Sequence, residues 1–269
     1  MALQVGRHIR VTPGTGVSCH RRLLSNLMDQ LSDAFEDLSH SLRILLEADL
    51  RARMGLLKMD RGEAVGNIEN GLAGVLNAFS SLYDAMAKNG LAGRVDWYKT
   101  SELATILVLR NARHHNHARK IRTLYSYYAQ EVEAIGKPET YVFVDYPLTE
   151  EGAETFHLYL SWGDLLALFS MPRKTTLIRE ETEELVRNYL PGDAVSAAAC
   201  SAGLVEGRAF FNVIPLIVNA GIVVVPYLKN RVTTRSMEAE TYLKMFDGQV
   251  SLANARKPDV KPRIVAFPP

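Results

Sequence analysis

Arg110-Asn111-Ala112-Arg113-His114-His115-Asn116-His117 places three of the chain's seven histidines within four positions, with two arginines in the same run. An imidazole gives or takes a proton near neutral pH, and a guanidinium offers a planar, permanently charged fork to an oxyanion. The cluster therefore suits acid-base chemistry on an anionic substrate. A metal site is the alternative, but no nearby carboxylate or cysteine completes a ligand set. A buried polar network joining helices is the structural alternative. Burying arginine, asparagine and imidazoles is costly unless they are paired or line a solvated cleft, which makes the run the functional candidate.

The element that must position these groups begins at Ser101-Glu102, a hydroxyl cap followed by an acid at the positive end of a helix dipole. Leu103, Ile106, Leu107, Arg110, His114 and His117 recur at i, i+3 and i+4, so an apolar face continues into the polar cluster. The pattern predicts a helix running to about Val132, stopped by Gly136-Lys137-Pro138.

Before it, stripes from Leu23 to Leu38 and from Leu42 to Met54 predict helix from Cys19 to about Leu57. A third helical face runs from Val65 to Met86 and closes at Gly90. Residues 1–17 read as a loose leader. The fold class expected is mainly α: a helical bundle over 18–137 and a smaller α+β region over 138–269.

In that second region, Tyr141–Tyr146 and Thr155–Ser161 read as strands, and Asp164–Ser170 and Arg179–Tyr189 as short helices. The segment from 248 to 269, with four prolines, reads as an extended strap or tail. Residues 209 to 228 carry no charge and are about as long as a membrane span. Asn212, Asn219, Pro215, Gly221 and Pro226 favour a buried core element, broken at Pro215 and Gly221.

Composition bounds the rest. With 269 residues and 47% apolar content there is ample material for a packed core, and a net charge of +1 advertises no global affinity for nucleic acid. Cys19 and Cys200 belong to no paired motif, and the N-terminus lacks the apolar stretch of a signal peptide. A cytoplasmic protein is expected, without a membrane partner. There is no phosphate-binding loop, dinucleotide fingerprint or G-x-S-x-G, and no cofactor is expected.

Arg110, Asn111 and His115 form R-N-x-x-x-H, and His117 extends the spacing to R-x6-H. On this motif and its helical setting, residues 18 to 135 resemble the HEPN superfamily (higher eukaryotes and prokaryotes nucleotide-binding domain), a bundle found in many toxin and phage-defence ribonucleases. The resemblance implies metal-independent cleavage of RNA. The 2′-hydroxyl attacks the adjacent phosphorus, leaving a 2′,3′-cyclic phosphate and a 5′-hydroxyl. A histidine would move the proton, a contribution of ~10²–10⁴-fold, while Arg110 stabilises the phosphoryl oxygens and Asn111 orients the phosphate or the imidazole. Family spacing selects His115; an unbroken helix, at about 100° per residue, brings His117 over Arg110 instead.

The resemblance further implies a homodimer with a composite site, and leaves room for an antitoxin or other regulator. Arg113, His114, Arg119, Lys120 and Arg122 would then bind the RNA backbone, and Tyr125, Tyr127 and Tyr128 would stack bases. Against this, Arg119, Lys120 and Arg122 also read as a solvated face, and the tyrosines as core. Glu47 and Arg51 read as an intrahelical ion pair or a support to the motif. His8, His20, His40 and His157 stand alone in the sequence, and nothing pairs Asp145 with a nucleophile. A non-catalytic nucleotide- or RNA-binding module and a dimeric scaffold are the competing readings.

Overall fold

The computed structural model describes residues 16–114, 121–131, 137–146, 156–249 and 258–266. The N-terminal half is helical. α1 (Gly16–Arg51) ends in a π-helical turn, Ala52–Leu56, and the short α2 (Leu57–Met59). α3 (Arg61–Lys88), α4 (Ser101–His114) and α5 (Leu124–Glu131) follow. Leu31, Phe35, Leu38 and Leu45 of α1 are buried with Ile68, Leu72, Val75 and Phe79 of α3, as the stripes require. The side chains of Leu23, Leu24 and Leu27 lie outside the described residues. Asp60 caps α3 by accepting from Glu63 N at 2.9 Å, and Gly90 takes a left-handed φ of 72° just past its end.

The single helix expected from Ser101 to about Val132 is two. Residues 121–123 are not helical: Thr123 bridges to Leu160, and its hydroxyl accepts from Ser126 N at 3.0 Å, opening α5. A Thr side chain that satisfies a first-turn amide is a helix start, and periodicity across 101 to 130 does not reveal it.

The second half contributes β1 (Pro138–Asp145), β2 (Tyr159–Ser161), α6 (Trp162–Phe169), α7 (Arg173–Thr176), α8 (Glu180–Tyr189) and α9 (Gly192–Ser201). β3 (Ala209–Asn212), α10 (Ile214–Leu228), α11 (Met237–Lys244) and β4 (Asp259–Ala266) complete the described elements. The strands form one sheet in the order β2-β3-β1-β4, with β1 parallel to β3 and antiparallel to β4. Successive residues of a strand point to opposite faces. Tyr127 of α5 packs edge-on against Tyr141 and Phe210 on one face, while Trp162 packs against Phe211 on the other. α8 and α10 lie against α4, and α11 lies against α1, so helical bundle and sheet share one continuous core. The fold is mainly helical with a smaller α+β part.

The strap expected at the C-terminus is the sheet's edge strand, where Pro262 needs no amide donor on its outer side. Residues 209 to 228 are a strand and a helix, divided at Val213 and not at Pro215 or Gly221. Pro215 sits in the first turn of α10, where a missing N–H costs nothing. Among the described residues no helix is long and apolar enough to cross a membrane. Gly221 is there for space: a Cβ would come within 2.8 Å of the Phe246 ring. Gly221→Ala is expected to cost about 1–3 kcal/mol by overpacking, read as a lower denaturation midpoint with an unchanged m-value.

Candidate functional site

α4 carries the motif to the edge of what is described. Its apolar residues Leu103, Ile106, Leu107 and Leu109 are buried, and Arg110 emerges at the end of that face, half-buried. Arg110 Nη1 donates to Asn111 Oδ1 at 3.2 Å. Its Nε is buried without a hydrogen-bond partner, and no described acid pairs with the guanidinium. Such a fork, unneutralised and incompletely satisfied, retains its capacity for an oxyanion. His115, His117, Arg119 and Lys120 lie outside the described residues, as does the side chain of His114.

Arg113, three residues on, is different. Its side chain is 5% exposed and forms an ion pair with Glu69 of α3. Nη1 also donates to Ile121 O at 2.9 Å. Glu69 accepts in turn from the Thr123 hydroxyl at 2.8 Å. Arg113, Glu69, Thr123 and the Ser126 amide thus form one buried relay tying α4 to α3 and to the start of α5. Arg113, expected to bind the RNA backbone, has its charge neutralised inside the protein.

Arg122 is likewise paired with an acid. Asp164 accepts from its Nε at 2.8 Å, its Nη2 at 2.9 Å and its backbone N at 3.0 Å, a bidentate lock with a third contact. Nor do the tyrosines form a stacking platform. Tyr125 and Tyr128 are buried, and the Tyr127 ring packs on the sheet with the Arg122 guanidinium over its face at 5.0 Å. Glu47 pairs with Arg43 at 2.6 Å, and Arg51 lines an open groove of about 330 Å³ between α1 and α3.

The tertiary structure also assembles a cluster that no local pattern announces. Asp145, at the end of β1, accepts from the Tyr159 hydroxyl at 2.8 Å and pairs with Arg263 of β4. Burial, reinforced by the Asp145 charge, pushes the Tyr159 phenol above its ordinary range, so it stays a donor. His157 stacks on Tyr159, with ring centroids 5.9 Å apart. From α1 and the turn after it come Asp49 and Arg53, paired at 2.9 Å, and Arg53 also donates to His157 O at 3.0 Å. Burial raises the Asp49 carboxyl above its usual value despite that pairing, and the Tyr125 phenol is pushed up to about 12 by burial and the adjacent Asp49. Arg53, Tyr125, His157, Tyr159 and Arg263 line a cavity of about 190 Å³.

His157 and Asp145, which stand alone in the sequence, are thus neighbours in space, with Nδ1 and Oδ1 at 3.7 Å. Partners 104 and 118 residues apart leave no spacing signal. Among the described residues no group of three histidine, cysteine or acidic side chains is arranged to hold a metal ion. No known protein family, curated protein or solved structure matches this chain.

Proposed function

We propose that the chain is a metal-independent endoribonuclease of the HEPN type, using Arg110, Asn111 and a histidine that follows them in sequence, His115 or His117. One observation supports this above the rest: among the described residues Arg110 is the arginine of the motif left without an acid, whereas Arg113 is absorbed by Glu69. A guanidinium kept for structure is normally neutralised when drawn into the fold; one kept for a phosphate is held by a neutral partner and left short of acceptors. Asn111 is such a partner, fixing the fork without discharging it.

In this reading RNA lies across two copies of the motif in a homodimer. The imidazole takes the 2′-hydroxyl proton or returns one to the leaving 5′-oxygen. Arg110 opposes the charge that grows on the phosphoryl oxygens. The role that goes with it is that of a toxin or phage-defence effector in the cytoplasm, held in check by an antitoxin or regulator. The cations left for the RNA backbone are His114, Arg119 and Lys120, without Arg113 or Arg122.

The test is to incubate the purified full chain with mixed RNA in excess chelator and to determine the end groups. Fragments bearing 2′,3′-cyclic phosphate and 5′-hydroxyl ends are expected. Intact RNA, or 5′-phosphate ends, would overturn the nuclease reading, and retained binding without cleavage would make the chain an RNA-binding module.

A further inference from the structure

We infer that the cavity between the sheet and the helical layer is a binding site for a small organic oxyanion, a carboxylate or phosphate monoester carried on a flat apolar body. It is distinct from the Arg110 motif and does not depend on the ribonuclease proposal. Leu124, Phe143 and Val265 supply its apolar wall, and Arg53, Arg263 and His157 its polar one.

The ligand chemistry follows from counting donors against acceptors. Asp145 is occupied by Tyr159 and Arg263, and Asp49 Oδ2 carries the Arg53 pair, while Asp49 Oδ1 is buried without a hydrogen-bond partner among the described residues. Asn212 Oδ1 accepts from Leu158 N at 3.3 Å and from Ile214 N at 3.2 Å. Those two bonds fix the amide's orientation and aim Nδ2 at His157 Nδ1, 2.8 Å away. Nδ1 is therefore the acceptor, and the neutral ring carries its proton on Nε2.

No described residue accepts from His157 Nε2 or from Arg263 Nε, and Arg263 Nη1 reaches only the Tyr159 oxygen, at 3.5 Å. The side chains of His157 and Arg263 are 47% and 37% exposed, so the polar wall presents solvent-accessible N–H donors beside an apolar one. Ligand oxygens would satisfy the donors, while a flat body would fill the space against Phe143. Because Asp49 and Asp145 already balance the two arginines, the affinity expected is modest and rests on hydrogen-bond geometry more than on net charge.

Benzoate, phenyl phosphate and inorganic phosphate, titrated into the full chain and followed by calorimetry and thermal shift, test this. At least one of the two aromatic probes is expected to bind and raise the melting temperature. Whichever binds identifies the head group, and the inorganic ion is expected to bind more weakly because it leaves the apolar wall unfilled. Arg263→Gln removes donors and Val265→Phe fills the space; each is expected to weaken binding about tenfold or more. Should Arg263→Gln fail to fold, Val265→Phe carries the test. Arg110→Ala is expected to bind the probes like wild type, which separates this site from the RNA site. Absence of binding by both aromatic probes, or affinity retained within about threefold in a folded variant, overturns the inference.

Discussion

On the ribonuclease proposal, Arg110→Ala is expected to reduce RNA cleavage by about 10²–10³-fold while leaving the chain folded. The first half of that expectation rests on the role of the fork: without it, nothing described near the motif opposes charge on the phosphoryl oxygens. The second half rests on geometry. Arg110 is half-buried and, among the described residues, has one hydrogen bond, to a neutral neighbour on the same helix, so its removal should cost less than about 1 kcal/mol. Arg110→Lys should rescue little, because an ammonium keeps the charge but loses the planar pair of donors. Single-turnover cleavage and urea denaturation of the same preparations check both halves. Unfolding of Arg110→Ala would identify the motif as scaffold; a folded variant that cleaves at the wild-type rate would remove Arg110 from the chemistry.

Glu69→Ala should produce the opposite pattern, with a loss of stability of about 3–5 kcal/mol. Glu69 receives both the buried Arg113 guanidinium and the Thr123 hydroxyl. Removing its carboxylate leaves a charge 5% exposed whose remaining acceptors, among the described residues, are the backbone carbonyls of Ile121 and of position 69, and unties the start of α5. That is the usual outcome when one member of a buried pair is removed: the cost comes from the partner left behind more than from the bond lost. Denaturation midpoints measure it. A loss under 1 kcal/mol would mean that Arg113 swings out to solvent, restoring the backbone-binding role that its pairing denies it.

Helix α3 and strand β1 show how far local pattern reaches. The face from Val65 to Met86 and the turn at Gly90 were legible because burial repeats every three or four residues and the stop needs a residue tolerant of positive φ. β1 was legible from its aromatic and β-branched run, and α6 and α8 within two residues at each end. α9 was not: GDAVSAAACS has little apolar periodicity to read. Nor was the division of 209–228 into β3 and α10, since an element buried on all sides loses the alternation that tells strand from helix.

By itself the sequence determined a mainly helical chain with a mixed C-terminal part, and a dense imidazole and guanidinium run after the apolar face of one helix. Local spacing suffices for this because helix faces and caps involve residues three or four apart. Which arginine lacks an acid among the described residues was decided only in three dimensions. Arg110 and Arg113 are the same residue type on the same helix, and what separates them is a glutamate 44 residues away. The same holds for Arg53, Asp145, His157 and Arg263: β4 pairs with β1 and brings in Arg263, and Arg53, in the turn after α1, reaches the backbone of His157. Charge neutralisation acts through space, over a few ångströms, and sequence distance has no bearing on it.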